Sequence, residues 1–272
     1  MGAALGQALT TMGHTVYGVR RRAGHAGAAH SLVADVGDRD AIVDVLPNRI
    51  DNVVYLVSAD ARTAEAYRAA YVDGVRNVID ALRSRRSNLR RFVFVSSTRV
   101  YPQHHGDWVD ESSPVRARDF ASEALLEGEQ SVRDAAWPST VVRLAGIYGP
   151  GRTRTIDLVR SGDAACPDGP DDYTNRIHRH DAAGLIAHLL ASSAPVPETV
   201  LGVDTEPARR CEVYRWIARA LALAPPRLVT PSAGQRGGKR CSSALVVRMG
   251  YRLAYPTYRE GYGALIGEMT AS

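Results

Sequence analysis

Two short stretches, Phe92-Val93-Phe94-Val95-Ser96-Ser97-Thr98-Arg99-Val100-Tyr101 and Val141-Val142-Arg143-Leu144-Ala145-Gly146-Ile147-Tyr148-Gly149-Pro150-Gly151, constrain this chain more than any other feature. Each opens as a buried-strand run and ends abruptly in hydroxyl, guanidinium, phenol or glycine groups. A strand that is apolar on both faces needs cover on both faces, which is the situation of a parallel sheet flanked by helices. The surrounding sequence agrees. Strand-like runs at 15–19, 32–34, 53–57, 91–95 and 140–143 alternate with helix-like segments at 5–12, 39–46, 64–83 and 121–134. This β-α alternation predicts an α/β fold with a doubly wound parallel sheet. Its right-handed crossovers bring the carboxyl ends of the strands to one crevice, where ligands bind in open sheets. After Pro150 the pattern turns mixed: pieces at 156–160 and 175–178, a helix at 181–192 with Asp181 as its N-cap, a strand at 199–203, a helix at 212–223 and a closing stretch at 251–269. The reading is a first portion over 1–150 and a smaller mixed portion over 151–272, interwoven with it.

Composition narrows the class. The 272 residues are 45% hydrophobic and 23% charged, the balance of an ordinary globular protein with room for a sizeable core. No apolar run reaches the ~18 residues of a membrane span, and no signal peptide is visible. The net charge of +5 is spread as scattered arginines without interleaved aromatics, so a nucleic-acid partner is not expected. Cys166, Cys211 and Cys241 are widely spaced and form neither a metal pattern nor an even disulfide set, which makes a reducing cytoplasm the default expectation.

The two strand-end motifs together resemble the extended short-chain dehydrogenase/reductase family of nucleotide-sugar epimerases and dehydratases. The resemblance continues through Gly13-His14 and the strand after it, Ala34-Asp35, Asn77, Asn175-Arg176-Ile177-His178-Arg179-His180-Asp181 and the tail Tyr255-Pro256-Thr257-Tyr258-Arg259-Glu260-Gly261-Tyr262. It implies an NAD(P)-binding Rossmann fold over 1–150 and a small substrate-binding portion over 151–272. The resemblance begins inside the family's Gly-rich turn. Gly6 matches the last glycine and Ala3 the middle one, so the first glycine and the whole first strand would lie upstream of Met1. A start codon placed late and a chain that has given up dinucleotide binding both remain open at this point.

Where the family has an acidic residue for the adenosine ribose, this chain has Arg20, Arg21 and Arg22. Guanidinium groups there suit a 2′-phosphate, which favours NADP(H) over NAD(H) if a dinucleotide binds; a solvated loop is the competing reading. By resemblance, Asp35 contacts the adenine, Val57 and Ser58 pass the nicotinamide ribose, and Tyr148 and Gly149 lie beside the nicotinamide. Asn77 reads equally well as a residue that satisfies backbone groups.

Ser97 occupies the place of the family's catalytic hydroxyl, and Ser96 points the other way by strand alternation. Thr98, Arg143, Asn175, Arg176 and His178 are then candidate substrate contacts. The family's general acid/base is a Tyr whose phenol is tuned by a Lys four residues on. The helix that should carry the pair offers Phe120 and Ala124, and the sole lysine is Lys239. This places the chain with an atypical subgroup lacking the Tyr-x-x-x-Lys pair. Tyr101, His104, His105, Asp110 and Glu111 are the nearby groups that could replace the phenol, with Tyr101 first. The pair His178-x-His180-Asp181 lacks an obvious third metal ligand, so no metal is expected. The leading expectation is an NAD(P)-linked oxidoreductase or epimerase/dehydratase-like enzyme for a small hydroxylated or carbonyl metabolite. A cofactor-independent isomerase, lyase or cyclase, and a non-catalytic nucleotide sensor, are the alternatives. Relatives pair through helices equivalent to 64–83 and 121–134, so a homodimer is compatible with the resemblance.

Overall fold

A computed structural model describes residues 1–22, 24, 30–230 and 237–271. In chain order, helix α1 (Gly2–Thr11) leads to β1 (Tyr17–Arg20) and β2 (His30–Val33), then α2 (Arg39–Val45), β3 (Asn52–Tyr55), α3 (Ala64–Arg68), α4 (Gly74–Ser84) and β4 (Arg91–Ser97). The short β5 (Asp107–Val109) precedes α5 (Phe120–Arg133), β6 (Ser139–Leu144), β7 (Gly146–Tyr148) and α6 (Arg154–Arg160). There follow β8 (Ala165–Pro167), β9 (Tyr173–Thr174), β10 (Arg176–His178), α7 (Arg179–Ala191), β11 (Thr199–Gly202), β12 (Ala208–Arg209) and α8 (Arg210–Ala220). The chain closes with β13 (Arg227–Val229), β14 (Lys239–Cys241), α9 (Ala244–Arg248) and α10 (Tyr258–Ala271).

The chain forms two compact units: residues 1–102, 114–143 and 183–200 make the first, and 103–113, 144–182 and 201–272 the second. The central sheet of the first unit has the order β11-β6-β4-β3, with β3 and β4 parallel. β1 and β2 pair in parallel as a separate ribbon, and no ladder joins them to β3 among the described residues. β4 and β6 carry the apolar runs of the two opening motifs, and Phe92, Val93, Phe94, Val141 and Val142 are fully buried. Strand β3, at the sheet edge, is only half-buried along most of its length.

The predicted continuous helix over 64–83 is interrupted. A π turn at Ala69–Asp73 separates α3 from α4. A side chain from β3 accompanies it: the buried Tyr55 hydroxyl donates to the Ala70 carbonyl, while the Gly74 N–H reaches back to Ala69. α5 packs against this turn at a glycine. A Cβ on Gly128 would lie 2.2 Å from the Tyr71 carbonyl oxygen, so only glycine permits this approach. α5 is fixed at its start by a capping box, in which Asp119 accepts from Ser122 N–H and Ser122 returns the bond.

In the second unit β7 pairs in parallel with β10, β8 with β13 and β5 with β14. Its core joins Tyr148 and Ile156 to Val213, Ile217, Tyr258 and Tyr262. Cys166 of β8 and Cys211 of α8 form a disulfide, with Cα atoms 5.6 Å apart. This corrects the expectation of unpaired thiols: the partners are 45 residues apart and become neighbours only through the packing of α8 on β8. Cys241 is buried and takes part in no disulfide among the described residues. Among the described residues no helix is long and apolar enough to cross a membrane.

Candidate functional site

In the first unit the chemistry-bearing positions gather at the carboxyl ends of the strands. β4 ends at Ser97, which caps the 3-10 turn Thr98–Val100: its Oγ accepts the Arg99 N–H at 3.2 Å. The side chain is half-buried, so its hydroxyl proton is left for an outside acceptor. Arg99 grips Asp119, the N-cap of α5, through Nε at 3.2 Å and Nη2 at 2.6 Å. The Arg99 guanidinium holds the Asp119 carboxyl far below the usual carboxylate range, against the upward push of burial. One ion pair thus ties the Ser97 turn to the first turn of α5.

α5 also bears Phe120 and Ala124, the two positions at which the resemblance leads one to expect a phenol and an ammonium. Phe120 is 38% exposed, and its ring meets Tyr67 edge-on at 5.5 Å. Tyr67 in turn lies 5.4 Å from Tyr71. Burial pushes the Tyr71 phenol up, and the Ala59 backbone opposes that push. Ala124 is buried. Neither Phe120 nor Ala124 can move a proton. Tyr67 lies on α3 and Tyr71 in the π turn, and the sequence reading singled out neither.

Ser96 faces the opposite side of β4, as alternation requires, and reaches a buried network. Glu129 of α5 is fully buried and accepts from Ser96 Oγ at 2.6 Å, Arg143 Nε at 3.0 Å, Arg143 Nη2 at 2.6 Å and Arg133 Nη2 at 3.1 Å. Arg143 Nη1 donates to the Tyr101 hydroxyl at 2.9 Å. Burial pushes the Arg143 guanidinium down, but its bonds to Glu129 and Tyr101 more than compensate and the net direction is up. Arg143 and Tyr101 are thus tied into this buried network. Both are at least 96% buried and bonded to each other, Arg143 as the counter-ion of Glu129 and not as an exposed substrate contact. Thr98 is buried in the turn beside them.

The expected dinucleotide contacts fall on several elements of the same unit. Gly6 is buried inside α1, where its carbonyl accepts from Thr10. Arg20 ends β1 and is exposed; Arg21 follows it and is paired with Asp60. Asp35 follows β2, and its Oδ1 accepts the Gly37 N–H at 2.8 Å. Val57 is half-buried and Ser58 exposed in the loop after β3. Asn77 donates to the Val36 carbonyl at 2.9 Å, a backbone-satisfying role.

The second unit holds the remaining candidates. Tyr148 is buried, with rings of His178 and Tyr262 at 5.3 and 4.4 Å. Its hydroxyl packs so closely on α10 that a Cβ on Gly261 would lie 1.8 Å from it. Burial pushes this phenol strongly upward. Gly149, at φ 138°, lets the chain pass His178, whose Nε2 would be 3.0 Å from an added Cβ. His178 is buried; its Nδ1 accepts the His180 N–H at 3.2 Å and Tyr255 stacks at 4.0 Å. Desolvation, with the neighbouring charges of His180 and Arg179, pulls it down to about 4, so it is neutral at physiological pH.

Asn175 bridges to β14 through the Lys239 carbonyl at 2.9 Å and the Cys241 N–H at 2.7 Å. Arg176 is buried, bonded to Thr174, with its guanidinium 5.3 Å from the Tyr258 ring. Both are thus engaged by the fold of their own unit. Asp181 is not an N-cap, because α7 begins two residues earlier at Arg179. Its carboxylate instead accepts the Ala254 and Tyr255 N–H groups at 2.7 and 2.9 Å and so anchors the loop before α10. His104 and His105 lie in the loop before β5; Asp110 ties a turn with Ser112 and Ser113, and Glu111 accepts the Leu201 N–H at 2.9 Å. Among the described residues no three His, Cys, Asp or Glu side chains are placed to hold a metal ion.

Sequence and structure comparisons agree with this architecture. The sequence model of the NAD dependent epimerase/dehydratase family matches residues 1–161. No curated protein matches at a significant level. Among solved structures, a protein from Methylobacillus flagellatus named for the NAD-dependent epimerases/dehydratases is 36% identical, with a TM-score of 0.82 over 98% of this chain and 94% of its own. A human epimerase family protein with NADPH is 20% identical, with a TM-score of 0.78 over 97% and 94% of the two chains. A UDP-glucose 4-epimerase from Thermotoga maritima with UDP-glucose is 14% identical, with a TM-score of 0.81 over 99% and 95%. The last two share the fold. With a parallel central sheet, a hydroxyl at the end of β4 and a family match across 1–161, this chain belongs to the NAD dependent epimerase/dehydratase family.

Proposed function

We propose that the chain is an NAD(P)-linked oxidoreductase or epimerase/dehydratase-like enzyme for a small hydroxylated or carbonyl metabolite, with NADP(H) preferred. The observation that carries this reading is Ser97: a half-exposed hydroxyl at the end of β4, with its oxygen already engaged by the Arg99 N–H. Residues that fit a dinucleotide are present in the first unit. α1 starts at Gly2, and the side chain of Met1 makes no capping bond to its first turn, a helix start of the kind that can receive a phosphate. Arg20, Arg21 and Arg22 are exposed after β1, where a 2′-phosphate can share Arg21 with Asp60. The nicotinamide, when bound, supplies the hydride acceptor or donor.

The chain's own part is polar. Ser97 donates its hydroxyl proton to the substrate oxygen and stabilises the charge that builds there as the carbon is oxidised or reduced. The Arg99–Asp119 pair holds the turn that aims it. Phe120 and Ala124 occupy the positions of the usual phenol and ammonium, so the proton is carried by a non-standard group or by water. Fixed hydrogen-bond donors of this kind are worth roughly 10²–10³ in rate. Ser97→Ala is therefore expected to lower turnover by that order while leaving NADPH affinity unchanged, read from nicotinamide absorbance against a panel of small hydroxy and carbonyl metabolites. Turnover equal to that of the parent chain would remove Ser97 from the chemistry.

A further inference from the structure

Arginines that stand apart in the sequence converge at the amino ends of the parallel strands β3 and β4. The loop before β3 and the loop that joins α4 to β4 border a recess of about 350 Å³. Asn48, Arg49 and Asp51 line it from the first loop, and Arg85, Arg86 and Arg90 from the second. Ser97 stands at the other end of β4, whose seven residues span roughly 20 Å of extended chain, so the recess is separate from the Ser97 end of the sheet. Charge in the recess is not balanced. Asp51 is the one carboxylate of its lining, and Arg49 meets it at 3.4 Å. The Arg85 guanidinium is held by neutral oxygens: it donates to the Leu46 carbonyl at 3.2 Å and to Asn48 Oδ1 at 2.9 Å. Arg86 and Arg90 are exposed and enter none of the described side-chain bonds or ion pairs. Burial, and then the charge of Arg90, push the neighbouring Arg91 guanidinium down. Nor do the arginines serve to close α4. Its last carbonyls, at Ala81, Leu82 and Arg83, already accept the N–H groups of Arg85, Ser87 and Arg86. A helix end carries about half a negative charge, less than Arg85, Arg86 and Arg90 bring together.

We propose that this recess binds a small anion that carries more than one phosphate group. Guanidinium forks match phosphate oxygens two at a time, and an anion of several charges is what Arg85, Arg86 and Arg90 together can balance. Arg85 is fixed before the ligand arrives, which removes part of the ordering cost of binding. Asn48, with its Oδ1 taken by Arg85, keeps its amide N–H groups to donate. Arg86 and Arg90 supply the unengaged charge. The bound anion ties the loop before β3 to the loop before β4, and so stabilises the folded chain as its concentration rises.

The test adds sodium tripolyphosphate to the full chain at about 0.15 M salt, where charges more than ~8 Å apart are largely screened. Calorimetry is expected to show saturable binding, and the melting temperature to rise with probe concentration. Arg90→Gln and Arg86→Asn are each expected to weaken binding about tenfold, the worth of one charge-assisted contact. Asn suits position 86 because it tolerates the left-handed backbone there, at φ 51°. Both variants are expected to keep the parent's melting temperature without the probe, so that the loss reports the site and not the fold. Absence of saturable binding at millimolar probe, or equal affinity in the parent and both variants, would overturn the proposal. A short DNA duplex that binds more tightly than tripolyphosphate and is weakened by the same variants would also overturn it, assigning these arginines to a nucleic-acid backbone.

Discussion

Glu129→Ala is expected to cost about 3–5 kcal/mol of folding stability, the loss typical of removing one partner of a buried ion pair. Glu129 is fully exposed to none of the solvent and gathers Ser96, Arg133 and two Arg143 donors on its two oxygens. Without it, the Arg143 guanidinium stays in the core with the Tyr101 hydroxyl as its remaining acceptor among the described bonds. The substitution also opens a cavity, which acts in the same direction. Urea denaturation checks this as a lower midpoint at unchanged slope. The double variant Glu129→Met with Arg143→Met is expected to recover most of the loss, because an apolar pair of similar volume removes the stranded charge. A loss below ~1 kcal/mol in the single variant would show that the pair is not the anchor of α5 on β6.

The second large effect is a pH dependence centred on Asp204. This carboxyl is 1% exposed and is pushed up to about 7 by burial, with the Arg176 charge and the Glu206 N–H opposing. The folded chain thus holds this proton more tightly than the unfolded chain, whose carboxyl has its ordinary value of 3.8. The sign follows. Below pH ~4 the group costs nothing; stability falls as pH rises from ~4 to ~7, and above ~7 the full penalty is present. About three pH units correspond to ~4 kcal/mol as an order of magnitude. Asp204→Asn keeps an oxygen for the Glu206 N–H and cannot ionise. Its stability is expected to match the parent's near pH ~3 and to exceed it by up to ~4 kcal/mol at pH ~8. Parallel melting curves across that range would contradict the assignment.

How much of this was legible in sequence depends on the range of the interaction. The strands and helices of the first unit follow from periodicity, and the opening motifs become β4 and β6 with their polar ends in place. Ser96 and Asn77 read correctly because alternation and backbone satisfaction are local rules. The π turn at Ala69–Asp73 did not, since the hydroxyl that accompanies it lies fifteen residues away. Asp181 resembled an N-cap because it opens the apolar stretch of α7, whereas its partners at 254 and 255 are visible only in three dimensions. Arg143 was singled out by the family-like motif it opens, and its ion-pair partner Glu129, a carboxylate on the buried face of α5, was not read from the sequence. Buried charges come in pairs, and Arg143 lacked a partner only in one dimension. The Cys166–Cys211 bond and the Asp204 carboxyl carry no local pattern at all.

We propose that this fold holds a nicotinamide dinucleotide and prefers the 2′-phosphorylated form. Calorimetric titration of NADPH and NADH into the 272-residue chain tests it most directly. Saturable binding of NADPH is expected, tighter than NADH by roughly tenfold or more, the value of one added charge-assisted contact. Arg21→Ala is expected to narrow that ratio. Absence of saturable heat from either nucleotide at millimolar concentration would contradict the claim.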